Sequence, residues 1–203
     1  MMKLILLLSV VSMSQSSTTK IKATGTVGDC LGSLVTKELT ASYNYLQMAS
    51  KLGADAGYPG FASFYTKLSD DISSKAHDLT KFLAKRQFPV QRLISKSGIS
   101  VASGLSKRLV VSGYFHQALE ENTNIWTKVM ECHTFAGNAG DAHVQDYLES
   151  EFLHHHNDIE KLLSDIDHRL KDSTSESERS LVTFMIDEEL LQTYGDRRKN
   201  IFG

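Results

Sequence analysis

The sequence predicts an all-α fold: a bundle of four long helices with one long crossover, followed by a short fifth helix. Three observations predict it. Apolar residues recur at three- and four-residue spacing through most of the chain. Only two prolines, Pro59 and Pro89, stand among the 203 residues, so little interrupts a helix. The breaks in the pattern come as short, long, short, and short links force antiparallel neighbours while a link of about 17 residues can run the length of a bundle.

The chain opens on Met1, Met2 and Lys3, then Leu4 to Val11, and turns small and polar at Ser12 to Ser17. This is the composition of a signal peptide, expected over 1–16, with an extension over 17–28 and one domain over 29–203. The competing reading, a buried first strand or helix, lacks apolar neighbours in the Ser/Thr/Lys stretch beside it. The leading run is too short for a membrane span, which takes roughly 20 residues. The first helix is expected over 29–53, with Asp29 as cap, Leu31, Leu34, Val35, Tyr45, Ala49 and Leu52 on its stripe, and Gly53 as stop. The second runs over 60–87 on Phe61, Phe64, Tyr65, Leu68, Ile72, Leu79, Phe82 and Leu83, with Pro59 in its first turn. After a lapse into Ser, Gly and Lys, Leu105, Leu109, Ser112, Phe115, Leu119, Trp126, Val129 and His133 mark a third helix over 105–136. Asp141 caps a fourth over 141–170, carried by Val144, Leu148, Phe152, Ile159, Leu162, Ile166 and Leu170. Ser175-Glu176-Ser177-Glu178 has capping-box spacing before the fifth.

Twenty-two basic and 24 acidic residues are interspersed, which leaves no basic stripe for nucleic acid. No Asn-x-Ser/Thr acceptor is present. The two cysteines, Cys30 and Cys132, are expected to be bridged in an oxidising compartment. The start of the first helix and the end of the third lie at the same end of such a bundle, so the bridge is expected within one subunit; a bridge from Cys30 to a partner subunit is the competing outcome.

Lys37-Glu38-Leu39-Thr40-Ala41-Ser42-Tyr43-Asn44-Tyr45-Leu46, and Asp141-Ala142-His143 to Asp146 with Glu149, resemble the openings of the first and fourth helices of the ferritin family. The resemblance extends from about Leu31 to Gly195. With the signal-peptide pattern it points to secreted ferritins of the invertebrate kind, and the single long crossover agrees, where a cytokine bundle has two. It implies a shell of 24 subunits around a ferric iron mineral, with iron oxidised at a dinuclear site inside active bundles.

On that resemblance the oxidising site is a remnant. Glu38 and Tyr45 remain. Ile72 stands where active ferritins carry a glutamate, Lys75 where they carry a histidine, Asn122 at the bridging glutamate and His156 at a glutamine; Glu120 and Glu121 adjoin Asn122, so a one-residue shift stays open. Isoleucine cannot ligate and lysine adds positive charge, whereas two iron ions need several carboxylates with imidazole. A buried Glu38–Lys75 pair is expected to fill the site. Glu151-x-x-His154 and the run His154-His155-His156 have ligand spacing, but histidines on a wet helix face are the plainer reading. Asp146 and Glu149, with His133, match the acidic pore at a three-fold axis, against an ordinary acidic turn at a helix start. Asp70 and Asp71 match, in part, the wall where mineral nucleates, while Lys67, Ser74 and His77 occupy its other acidic positions. The functional expectation is therefore a light-chain-like storage subunit, not itself an enzyme, assembled with a ferroxidase-active heavy-chain-type partner. The alternative is an active ferroxidase whose site is rebuilt from the fourth-helix histidines. A helical signalling protein is disfavoured by the crossover and the acidic pair.

Overall fold

A computed structural model describes residues 25–54, 56–88, 110–173 and 175–195. The expected signal peptide, most of the extension, Leu105 and Leu109 lie outside the described residues. Among the described residues the α-helices are, in order, α1 Gly25–Ala54, α2 Pro59–Lys85, α3 Val111–Asn138, α4 Ala142–Leu148, α5 His154–Lys171 and α6 Glu176–Tyr194. Helices α4 and α5 are one bundle helix, joined without a break through a single π-helical turn, Glu149–Leu153.

The first helix begins before Asp29, which is exposed and is not its cap. Tertiary packing extends it, because Val27 is fully buried and Gly28 lies so close to the Phe88 ring that a Cβ there would overlap it. Its end lies past Gly53. The turn is closed by Tyr58 N–H donating to the Leu52 carbonyl, with Gly57 in the left-handed conformation. Pro59 opens α2, where a missing N–H is harmless, and the Phe61 N–H donates 2.8 Å to Asp187 Oδ1 of α6. The fifth bundle helix thus caps the second. Along α3 the buried line is Phe115, Ala118, Asn122, Ile125, Val129, Cys132 and Ala136. Leu119, Trp126 and His133, placed on the stripe by sequence, stand one residue round and are half-buried.

Asp141 caps α4 by accepting from Val144 N–H, and Ser175 caps α6 by accepting from Glu178 N–H, both at the expected positions. The π turn has a reason in the spacing of buried residues, Val144, Leu148, Phe152 and His156. Each four-residue step overshoots a 3.6-residue turn by about 40°, so three steps would rotate His156 off the core face. One wider turn absorbs that drift.

Cys30 and Cys132 form a disulfide with Cα atoms 5.5 Å apart, within bonding reach. Together with the Gly28–Phe88 contact and an Arg86–Asp141 ion pair, it gathers four helix ends at one end of the bundle: the starts of α1 and α4 and the ends of α2 and α3. The chain therefore leaves α2 at this end and enters α3 at the other, as a long crossover requires. A continuous apolar core fills the space between, with Tyr45, Tyr65, Phe61, Phe64 and Phe115 clustered in it.

Candidate functional site

Four helices converge at the waist of the bundle. Glu38 from α1, Ile72 from α2, Asn122 from α3 and His156 from α5 are all fully buried. Their hydrogen bonds determine one another. Asn122 Nδ2 donates to the His156 carbonyl at 2.9 Å, which turns Asn122 Oδ1 toward the imidazole. His156 Nδ1 lies 2.8 Å from that oxygen and must therefore carry a proton. His156 Nε2 lies 2.9 Å from Glu38 Oε1. That bond needs one further proton, on the imidazole or on the carboxyl. Either way the pair carries no net charge.

Glu38 is thus paired with His156 and not with Lys75. Lys75 turns outward and its ammonium donates to Glu151 Oε2 on the π turn at 2.9 Å. The reason is desolvation: a lysine stem can lie along the bundle while its ammonium stays in water, whereas a dry ammonium would lose its hydration. The imidazole, already held by Asn122, meets the buried carboxylate at lower cost. His156 accordingly does not lie on a wet face. Successive helical residues point about 100° apart, so His154 is exposed, His155 half-buried and His156 inside. Burial, aided by the charges of His156 and Lys75, holds the His155 imidazole down to about 4.

Asn122 itself faces inward, and neither adjacent glutamate does. Glu120 is exposed. Glu121 lies half-buried between α1 and α3, accepting from Asn44 Nδ2 at 2.8 Å, and burial raises its carboxyl above the ordinary range. The Tyr45 hydroxyl donates to the Ala118 carbonyl at 3.3 Å. Burial, and then the Glu121 and Glu38 charges, push it far above the usual phenol range. Among these residues Glu38 Oε1 and both imidazole nitrogens are engaged, Glu38 Oε2 is buried without a hydrogen-bond partner, and Ile72 offers no donor.

A second group of acids lies at the disulfide end. His133 Nε2 of α3 stands 2.6 Å from Glu149 Oε1, and Asp146 is exposed one turn earlier on α4. On α2, Asp70 is exposed while Asp71 pairs with Lys67 at 2.6 Å, which removes part of its charge from any cation.

Comparison with known proteins bears on the fold and the family. The ferritin-like domain family matches residues 29–173, from the second turn of α1 to the end of the fourth bundle helix. The chain belongs to that family. It is similar to the soma ferritin of Lymnaea stagnalis, 29% identical over 140 residues that cover 68% of this chain and 76% of the relative. The ferritin middle subunit of Salmo salar is 27% identical over 143 residues, 68% and 77% of the two chains. The oocyte isoform of the ferritin light chain of Xenopus laevis is 31% identical over 131 residues, 63% and 70%.

Within this ferritin-like bundle, sequence reasoning placed Glu38, Ile72, Asn122 and His156 at one level of the four helices, and the structure brings them together. Lys75 does not join them. The pairing of His156 with Glu38 was missed. Its signal was the four-residue stepping of Val144, Leu148, Phe152 and His156, a line that stays on the core face only because the turn at Glu149–Leu153 widens.

Proposed function

We propose that this chain is a storage-type ferritin subunit: it builds the wall of a 24-subunit cage around a ferric iron mineral and leaves oxidation to a heavy-chain-type partner. One observation carries the reading. At the level where active bundles bind two irons, Glu38 Oε1 pairs with His156 and the pair is charge-neutral, although Glu38 Oε2 is buried without a hydrogen-bond partner, so the waist has no net negative charge to attract divalent cations. The alternative, a site rebuilt from the fourth-helix histidines, is disfavoured because His154, His155 and His156 point to three different sides of the helix.

Other features support the cage. Leu181, Phe184 and Met185 on α6 are each more than half exposed and share one face, an apolar surface unusual for a lone subunit. Asp146 and Glu149, with His133, suit a cation entrance at a three-fold axis, while Asp70 with the half-neutralised Asp71 suits only slow nucleation. One relative is, by its name, a light chain. The leading segment and the disulfide suit an oxidising, secretory compartment.

The test is to supply Fe(II) in air to cages of this chain alone and to cages mixed with a heavy-chain-type subunit. Fast mineral growth only in the mixed cages is expected. Equal growth in both would overturn the reading.

A further inference from the structure

At the disulfide end, one buried residue ties three helices to the acidic turn. Arg86 follows the last turn of α2, and its side chain is 9% exposed. Its Nη2 donates to Asp141 Oδ2, and its Nη1 lies 3.4 Å from His143 Nδ1. The guanidinium carbon sits 5.7 Å from the Phe82 ring centroid. Phe82 stacks on Tyr147 at 3.9 Å and meets the edge of His143 at 5.3 Å. Phe82 on the last turn of α2 and Arg86 at its C-cap are thus four residues apart, His143 and Tyr147 are four residues apart on α4, and the two pairs interdigitate.

Asp141 is the centre of the junction. Its N–H donates 2.9 Å to the Ala136 carbonyl at the end of α3, its Oδ1 accepts from Val144 N–H at the start of α4, and its Oδ2 is held by Arg86. Gly140, in the left-handed conformation, lets the chain turn just before it. Asp146 lies between His143 and Tyr147 in sequence, and Glu149 follows Tyr147 by two residues. The direction in which both acids leave the surface is therefore set by how α4 docks on α2.

We propose that Arg86 is a positioning residue for the cation entrance: through Asp141, His143 and the Phe82–Tyr147 stack it holds the first turns of α4 in the register that aims Asp146 and Glu149. The inference rests on reading those acids as the entrance. Symmetry sharpens it, because a three-fold axis repeats any tilt of one α4 in all three copies, so a small change in its docking moves every acid of the ring together. A planar guanidinium that bonds Asp141 through Nη2 and meets His143 through Nη1 fixes that docking where a lysine, with its single ammonium, would not.

The experiment measures Tb(III) luminescence titrations on assembled cages, with thermal midpoints alongside. Asp146→Ala with Glu149→Ala is the reference and is expected to abolish saturable binding. Arg86→Gln is expected to weaken Tb(III) binding about 10-fold or more, as loss of a supporting residue does at a metal site, with Arg86→Lys intermediate. Asp141→Asn keeps an oxygen cap for Val144 but gives up the ion pair, so it repeats the loss and carries the test if Arg86→Gln does not assemble. If the reference abolishes binding while Arg86→Gln and Asp141→Asn bind as wild type, whatever their thermal midpoints, the positioning role is wrong. If the reference itself binds unchanged, the entrance reading fails first.

Discussion

The waist of the bundle and its disulfide end both hold a glutamate beside a histidine, and the two pairs do opposite things. At the waist, Glu38 and His156 are fully buried, and Asn122 takes up the second ring nitrogen. At the end, Glu149 meets His133 at 2.6 Å, but Glu149 stays exposed and Asp146 stands unburied beside it. A dry pair is a closed unit whose charges cancel locally, while a wet pair remains part of an acidic surface that a cation can approach. Residue type alone does not separate the two cases; position relative to solvent does.

The comparison breaks most visibly at His156. His156→Leu leaves Glu38 buried without its partner, and a loss of about 3 to 5 kcal/mol is expected in denaturant unfolding. Glu38→Leu combined with His156→Leu should recover most of that loss, since removing both charges together is close to neutral. A single variant no worse than the double would show that the waist is wet. Next comes the disulfide, which ties α1 to α3 across 102 residues. Cys30→Ala with Cys132→Ala should lower stability by about 2 to 4 kcal/mol, with a chain-entropy ceiling near ~4.7 kcal/mol; a loss below about 1 kcal/mol would mean that the unfolded chain is little constrained by the bridge.

The smallest effect concerns pH. His155 in the folded chain titrates near 4 instead of 6.5, chiefly because it is partly buried. Between those values the unfolded chain binds a proton that the folded chain does not, so stability is full above about 6.5 and falls as pH drops toward 4. His155→Asn should flatten the stability profile in that window. A profile of unchanged slope would assign the acid sensitivity elsewhere.

Much of this was legible in the sequence. The stripes through Leu31, Phe64, Val129 and Ile166 gave the helices, the link lengths gave their order, and the caps at Asp141 and Ser175 were readable from residue type. The partners of charged groups were not. Lys75 was a natural candidate for Glu38 because they share a level, yet the choice between lysine and histidine depends on which cation loses less on leaving water, and that depends on depth. The widening at Glu149–Leu153 was present as stepping by fours but reads as ordinary helix until the core face is drawn. Arg86 gave no signal at all, since its partners Asp141 and His143 lie more than fifty residues away on another helix.

The proposed storage role predicts that the waist does not oxidise iron as it stands. It is tested most directly by rapid-mixing oxidation of Fe(II) in air by cages of this chain alone, at about two irons per subunit. The expected result is no fast, saturable phase, with one appearing only when Ile72→Glu, Lys75→His, Asn122→Glu and His156→Gln together free Glu38 and restore the missing ligands. A fast phase that saturates at about two irons in the unmodified chain would contradict the account.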